Sequence, residues 1–329
     1  MRSALRPVAW PSALLVLALV LSGCGSAGDA GGTPAETRTV QVSSGTVEVP
    51  ADPERVAVLW RPGLAAVTEL GVVPVATLGD PARGDSGLAP YLPESVPAEA
   101  LTVVSNTPQE HDVNMERLAA TRPDLIIGVD STAAAQAQLR GQLEEIAPTV
   151  LLDWPGPTAW RQYLGDVAAV LGMPGEGERA LRDYAERVAA ARERLGDTSG
   201  VEVSLVRLQS DSEVRFETTT SFPGEILDEL GFARPKSQRG TEPDEPFVSE
   251  SYERLAEADA DVVFVFANQD YEDAPTAFGD GVWANISAVR EDQVFAVDYD
   301  YWGAASLFGA ERVLDDVVAA MEGDLRPAV

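Results

Sequence analysis

The chain has 329 residues, 45% of them hydrophobic, which is enough for two domains that each bury a core. Its 53 Asp and Glu against 24 Lys and Arg give a formal charge of −29, and that argues against a nucleic-acid partner, since phosphate binding needs clustered basic side chains. The acidic residues are spread along the chain, as on a solvated surface and unlike an acidic tail.

The N-terminus, MRSALRPVAWPSALLVLALVLSGC, has Arg2 and Arg6, an apolar run over 13–21, and small residues before Cys24. A basic start and an apolar run too short to span a bilayer comfortably mark a secretory signal, assigned to 1–23. Leu21-Ser22-Gly23-Cys24 also resembles a bacterial lipobox, in which the Cys is lipidated and begins the mature chain. Cys24 is the one cysteine and has no disulfide partner within the chain. With more than one acyl chain it would anchor the protein stably. Residues 24–39, rich in Gly, Ala and Thr without an apolar period, read as this residue and a flexible tether. The expected place is the extracytoplasmic face of the cell membrane.

A first α/β lobe is expected over 40–173. It opens with a hairpin over 40–49 around Ser43-Ser44-Gly45, then a buried strand ending at Trp60 and a helix closed by Gly71. A short strand in VPVATLG leads to a Pro- and Gly-rich loop over 80–97, where Tyr91 is the one aromatic. MERLAATRPDLIIGV, over 115–129, gives a short helix, an interruption at Arg122-Pro123, and a strand buried on both faces. QAQLRGQLEEIA and PTVLLDW add a helix and a strand.

Residues 174–197 hold strong helix formers with Leu181, Tyr184, Val188, Ala191 and Leu195 at helical spacing. One connecting helix of about 30 Å fits. A second α/β lobe follows over 198–329, with VEVSLVRL, GEILDELGF, YERLAEADADVVFVF, DQVFAVD and a closing helix in LFGAERVLDDVVAAM. Glu116, Arg117, Leu118, Ala119 and Asp124 recur there as Glu253, Arg254, Leu255, Ala256 and Asp261. The alternation and the repeat predict two α/β lobes joined by a single long rigid helix.

Chemistry built on imidazole or thiolate has little to draw on. His111 is the only His and Cys24 the only Cys, so a zinc or iron site, or a Ser-His-Asp or Cys-His nucleophile, is hard to assemble. No P-loop and no strand-linked G-x-G-x-x-G is present. The expectation is a binding protein, not an enzyme, with no metal held by protein side chains. The alternatives kept open are an envelope enzyme on a bilobal fold and a tethered interaction protein without a small ligand.

In open α/β sheets the C-terminal strand ends face the ligand crevice. Trp60 and Arg61 close the first strand, Trp154 a later one, Arg207 and Arg215 flank the first strand of the second lobe, and Tyr299, Tyr301 and Trp302 follow DQVFAVD. Flat rings and planar guanidinium groups suit a large, polar, partly apolar ligand held between two walls. Trp160 and Trp283 read as core.

Taken in order, VPADPERVAVL, ELGVVPV, NMERLAATRPDLIIG, EEIAPTV, SFPGEILDELGFARP, SYERLAEADADVVFV and WANISAVREDQVFAVD resemble the solute-binding lipoproteins of bacterial iron–siderophore ABC importers, a group that includes vitamin B12 and haem binders. The resemblance covers nearly the whole mature chain. It implies a monomer with a ligand cleft between the lobes and little lobe movement. It also implies capture of a ferric siderophore whose iron is ligated by the siderophore, and delivery to a permease and its ATPase; cobalamin or haem is the alternative ligand. Glu116 and Glu253 match the two glutamates that pair with permease arginines. Trp60, Arg61, Tyr91, Trp154, Arg207, Arg215, Ser221, Phe222, Tyr301 and Trp302 are the expected ligand contacts.

Overall fold

The computed structural model describes residues 36–107, 112–131, 136–210, 212–240, 245–267 and 281–328. The expected signal, Cys24, most of the expected tether, and His111 lie outside the described residues. No helix among the described residues is long and apolar enough to cross a membrane.

Strands β1 (Thr37–Val42) and β2 (Gly45–Pro50) form the antiparallel hairpin, with Gly45 at φ 122° in the turn. The hairpin begins inside the stretch expected as tether, and Arg38 is the reason. Its guanidinium donates to the carbonyls of Ala169 (3.0 Å) and Val170 (2.5 Å), near the end of a helix, where main-chain acceptors are left over.

The first lobe is a five-stranded parallel sheet of β3 (Val56–Val58), β4 (Ala76–Thr77), β5 (Thr102–Val103), β6 (Leu125–Asp130) and β7 (Thr149–Asp153), in the order β5-β4-β3-β6-β7. Helices α1 (Arg61–Glu69), α2 (Met115–Ala120), α3 (Arg140–Glu144) and α4 (Trp160–Leu171) belong to it. The connector is α5 (Pro174–Leu195), which has Pro at its start, Glu176 in the first turn, Arg192 and Arg194 in the last, and Gly196 after it. Each of these stabilises a helix end.

The second lobe has β8 (Val203–Leu208), β9 (Glu213–Glu217), β10 (Phe247–Ser251), β11 (Val262–Ala267) and β12 (Val294–Ala296), in the order β10-β9-β8-β11-β12. Its helices are α6 (Phe222–Glu229), α7 (Ser287–Arg290), α8 (Tyr299–Trp302) and α9 (Leu307–Glu322). Strands β8, β11 and β12 run parallel, but β9 and β10 run antiparallel at one edge. The turn between β8 and β9 is too short to hold a crossover helix, so the chain must double back.

One apolar cluster runs through both lobes. It includes Val58 and Leu64 of the first, Tyr184 and Ala191 of the connector, and Phe222, Trp302 and Leu314 of the second. Helix α9 packs on α5 and α1, so the last helix of the second lobe also covers part of the first. Arg187 on α5 pairs with Glu311 (2.7 Å) and Asp315 (2.8 Å) on α9, and Arg161 on α4 pairs with Glu225 (3.0 Å) and Glu229 (2.5 Å) on α6. Opening the lobes would expose part of this shared core, which opposes large hinge motion.

Candidate functional site

The C-terminal edges of the two sheets approach each other. Arg83, in the loop after β4, reaches across to Asp300 on α8 with an ion pair of 2.6 Å. Arg61 lies near enough to Tyr299 for its positive charge to act on the phenol.

On the first lobe's edge, Trp60 and Trp154 meet edge to face at 5.5 Å, and Trp154 meets Tyr163 in the same way at 5.4 Å. Both Trp rings are half-buried. Tyr163 is buried and donates to the Gly128 carbonyl at 2.8 Å, which fixes the base of this aromatic wall. Arg61 begins α1 with its guanidinium 5.8 Å from the centre of the Tyr91 ring. Trp60, Arg61 and Trp154 therefore stand together, with Tyr91 beneath Arg61, mostly buried and in the core.

The second lobe's edge is built on β8 and β9. Arg207 and Arg215 sit directly opposite each other across the two strands and so share one face. Arg207 donates to the Tyr299 hydroxyl (2.5 Å) and lies 4.4 Å from the centre of that ring. Arg215 lies 4.1 Å from the centre of the Phe247 ring. Glu217, two residues beyond Arg215 and on the same face, is 5% exposed, with Oε1 3.7 Å from Arg207 Nη1. Burial pushes its carboxyl up to about 7, against the pull of Arg207, Arg215 and Arg234. Arg234 is buried behind them and donates to the Glu217 carbonyl (2.7 Å) and to Gln238 (2.5 Å). Burial lowers its guanidinium to about 9 while Glu217 opposes that shift.

Three expected contacts are structural instead. Ser221 is 1% exposed and caps α6: its hydroxyl accepts from Gly224 N–H (3.1 Å) and donates to the Thr218 carbonyl (2.8 Å). A Cβ on Gly224 would fall 1.9 Å from the Thr218 oxygen, so the SFPG stretch is a tight helix entry. Phe222, next in line, packs on Trp160 at 6.4 Å. Trp302 is wholly buried; its indole donates to Asp316 (2.9 Å) and its ring lies 4.9 Å from Phe264 and 6.0 Å from Phe266. Tyr301 is half-buried, with the Arg312 guanidinium 5.1 Å from its ring centre. From that turn it is Tyr299, one of the strand-end aromatics but outside the expected contact set, that meets Arg207. Glu217 was not anticipated, although the alternation in EVRFE places it on the face of Arg215. Trp160 and Trp283 are core, as expected.

Glu116 and Glu253 occupy equivalent places. Each stands two residues after a capping side chain: Asn114 accepts from Arg117 N–H at 2.9 Å, and Ser251 from Glu253 N–H at 3.4 Å. Both glutamates are exposed. The adjoining arginines are occupied, Arg117 by the carbonyls of Val103 and Ser105, and Arg254 by Glu250 and Glu257. Neither carboxylate has an ion pair among the described residues.

No group of three or more His, Cys, Asp or Glu is placed to hold a metal ion among the described residues. The pattern of the periplasmic binding protein family matches residues 69–301. This chain belongs to that family. Among curated members, it is 32% identical to the probable siderophore-binding lipoprotein YfiY of Bacillus subtilis, over 92% of this chain and 94% of that one. It is 27% identical to the Fe(3+)-citrate-binding protein YfmC of the same organism, over 90% of each. Its fold matches Staphylococcus aureus SirA complexed with staphyloferrin B, with a TM-score of 0.70 at 22% identity over 87% of this chain and 99% of SirA. It also matches the siderophore periplasmic binding protein from the fuscachelin gene cluster of Thermobifida fusca, with a TM-score of 0.65 at 27% identity over 84% and 98%.

Proposed function

We propose that this periplasmic binding protein captures a ferric siderophore between its two facing sheet edges and hands it to an ABC permease with its ATPase. The observation that carries the reading is the pairing of an aromatic wall at Trp60 and Trp154 with a guanidinium wall at Arg207 and Arg215. Ring faces pack on the apolar parts of a chelate, and guanidinium forks bind its outward oxygen atoms. The iron arrives as cargo with its ligands already in place.

Relatives named for siderophore, ferric citrate and hydroxamate binding support iron chelates over cobalamin or haem. Lipidation of Cys24 would keep the protein at the outer face of the membrane as a tethered monomer. Glu116 and Glu253 would each dock on one half of the permease, since their carboxylates are the free members of two otherwise paired charge clusters.

Quenching of tryptophan fluorescence tests the reading, because Trp60 and Trp154 stand at the site. Saturable quenching by a ferric siderophore, much weaker with its iron-free form, is the expected result. Binding of cobalamin or haem with no response to any ferric chelate would overturn the ligand and leave the transport role.

A further inference from the structure

Arg83 and Asp300, which join the two lobes across the crevice, are each fixed by their own segment. The loop after β4 folds back on itself. Asp80 N–H donates to the Ser86 carbonyl (2.8 Å) and Ser86 N–H to the Arg83 carbonyl (3.1 Å), while the carboxylates of Asp80 and Asp85 accept from Ala82 N–H (2.9 Å) and Gly87 N–H (3.0 Å). This turn carries strain. Ser86 sits in the left-handed region at φ 56°, which a side chain disfavours, and a Cβ on Gly79 would fall 2.8 Å from the Ser86 oxygen. Strained backbone persists where the surroundings fix a segment, and here it presents Arg83 to the facing lobe. Asp300 lies on the turn of α8, where its N–H donates to the Asp298 carboxylate (2.9 Å) and Trp302, at the other end, is buried in the core.

The pair stands beside both walls of the site. Strand β4, before Arg83, is next to β3, which leads into Trp60 and Arg61, and Asp300 follows Tyr299, which meets Arg207. At 2.6 Å, with side chains 35% and 17% exposed, the pair is short and partly shielded. It is therefore stronger than an open surface pair, yet salt still reaches it.

Resting on the proposed capture of a ferric chelate between these edges, we infer that Arg83 and Asp300 are positioning residues that set how fast the chelate exchanges. Their ion pair straps the crevice in the free and the loaded protein alike. A ligand that touches both walls enters and leaves while the strap is parted. Parting it belongs to the path in both directions, so the pair slows association and dissociation together and moves the affinity much less.

Stopped-flow quenching of tryptophan fluorescence tests this on the full-length protein, with ferric citrate, a ferric tris-catecholate and a ferric trihydroxamate as probes. Both rates are measured for the parent, for Arg83→Gln, for Asp300→Asn, and for the swapped pair Arg83→Asp with Asp300→Arg. A probe that quenches the parent should bind to and leave either single variant about threefold to tenfold faster, with Kd within about twofold. The swapped pair should recover part of the slow exchange, and high salt should speed dissociation from the parent but not from Arg83→Gln. Neither readout moves if the two residues only support the loop. Should Arg83→Gln fail to fold, Asp300→Asn and the parent's salt response give the same reading. Unchanged rates in the single variants, or dissociation alone speeded with affinity lost in proportion, overturn the inference and leave ferric capture standing. Absence of quenching by all three probes removes the proposed function, and the strap's role with it.

Discussion

Asp124 and Asp261 hold matching places in the two lobes. The Asp124 carboxylate accepts from the main-chain N–H groups of Glu54 (2.8 Å) and Arg55 (2.9 Å), where the chain enters β3, and the Asp261 carboxylate accepts from Glu202 N–H (2.8 Å), where it enters β8. Both strands lie at the centre of their sheets. The repeated Asp thus pins each central strand to the start of its neighbour. Asp124→Ala should cost about 2 kcal/mol and Asp261→Ala, at an exposed site with one such bond, about 1 kcal/mol or less, as expected for charge-assisted bonds that solvent weakens. Urea unfolding of each variant measures this, and equal, negligible losses would show that the two carboxylates only decorate the surface.

Much of this was legible in the sequence because periodicity and strand burial are local properties. DLIIG and DVVFVF are apolar runs too short for helices, and both form buried parallel strands. The connector's boundaries come from its own end chemistry. The antiparallel edge was not legible, since EVRFE and FVSES are short, half-polar segments whose pairing depends on the turn between β8 and β9. Pocket membership was harder still. Near the end of a strand, a Trp can turn into the core or out to the crevice, and neighbours far along the chain decide which. Trp60 found Trp154 and stayed half exposed, whereas Trp302 found Asp316, Phe264 and Phe266 and went inside.

That difference makes Trp302 a test of structure, not of binding. Trp302→Phe removes the bond to Asp316 and leaves that carboxylate to Arg312 alone, at 2.9 Å. A loss of about 1–3 kcal/mol in stability is expected, with ligand affinity close to that of the parent. Affinity that collapses while the melting temperature holds would return Trp302 to the binding surface.

Glu69 on α1 faces Glu311 on α9 and Asp183 on the connector, so three carboxylates from three parts of the molecule share one junction. Burial, and then the charges of Glu311 and Asp183, push Glu69 up to about 7. The folded state therefore holds this proton more tightly than the unfolded chain does. The resulting stabilisation is full below the ordinary carboxyl pKa and is lost as pH rises through about 7. Glu69→Gln should raise the melting temperature at pH 8 and change it little at pH 4. No difference between the two pH values would mean that the junction is already relaxed by solvent.

The proposed docking role of Glu116 and Glu253 predicts a separation of two activities. Glu116→Ala combined with Glu253→Ala should keep chelate affinity and abolish uptake into cells, with each single variant intermediate, because the two sites engage one permease together. Lost affinity in the double variant would instead move these residues to the cleft.

Native mass spectrometry of the protein recovered from iron-starved cells bears most directly on the central claim, that the lobes hold a preassembled ferric complex without supplying metal ligands. The account predicts one added mass equal to a single chelator plus iron, and none for iron by itself. Iron retained after the chelator is stripped away would contradict it, because protein side chains would then be holding the metal.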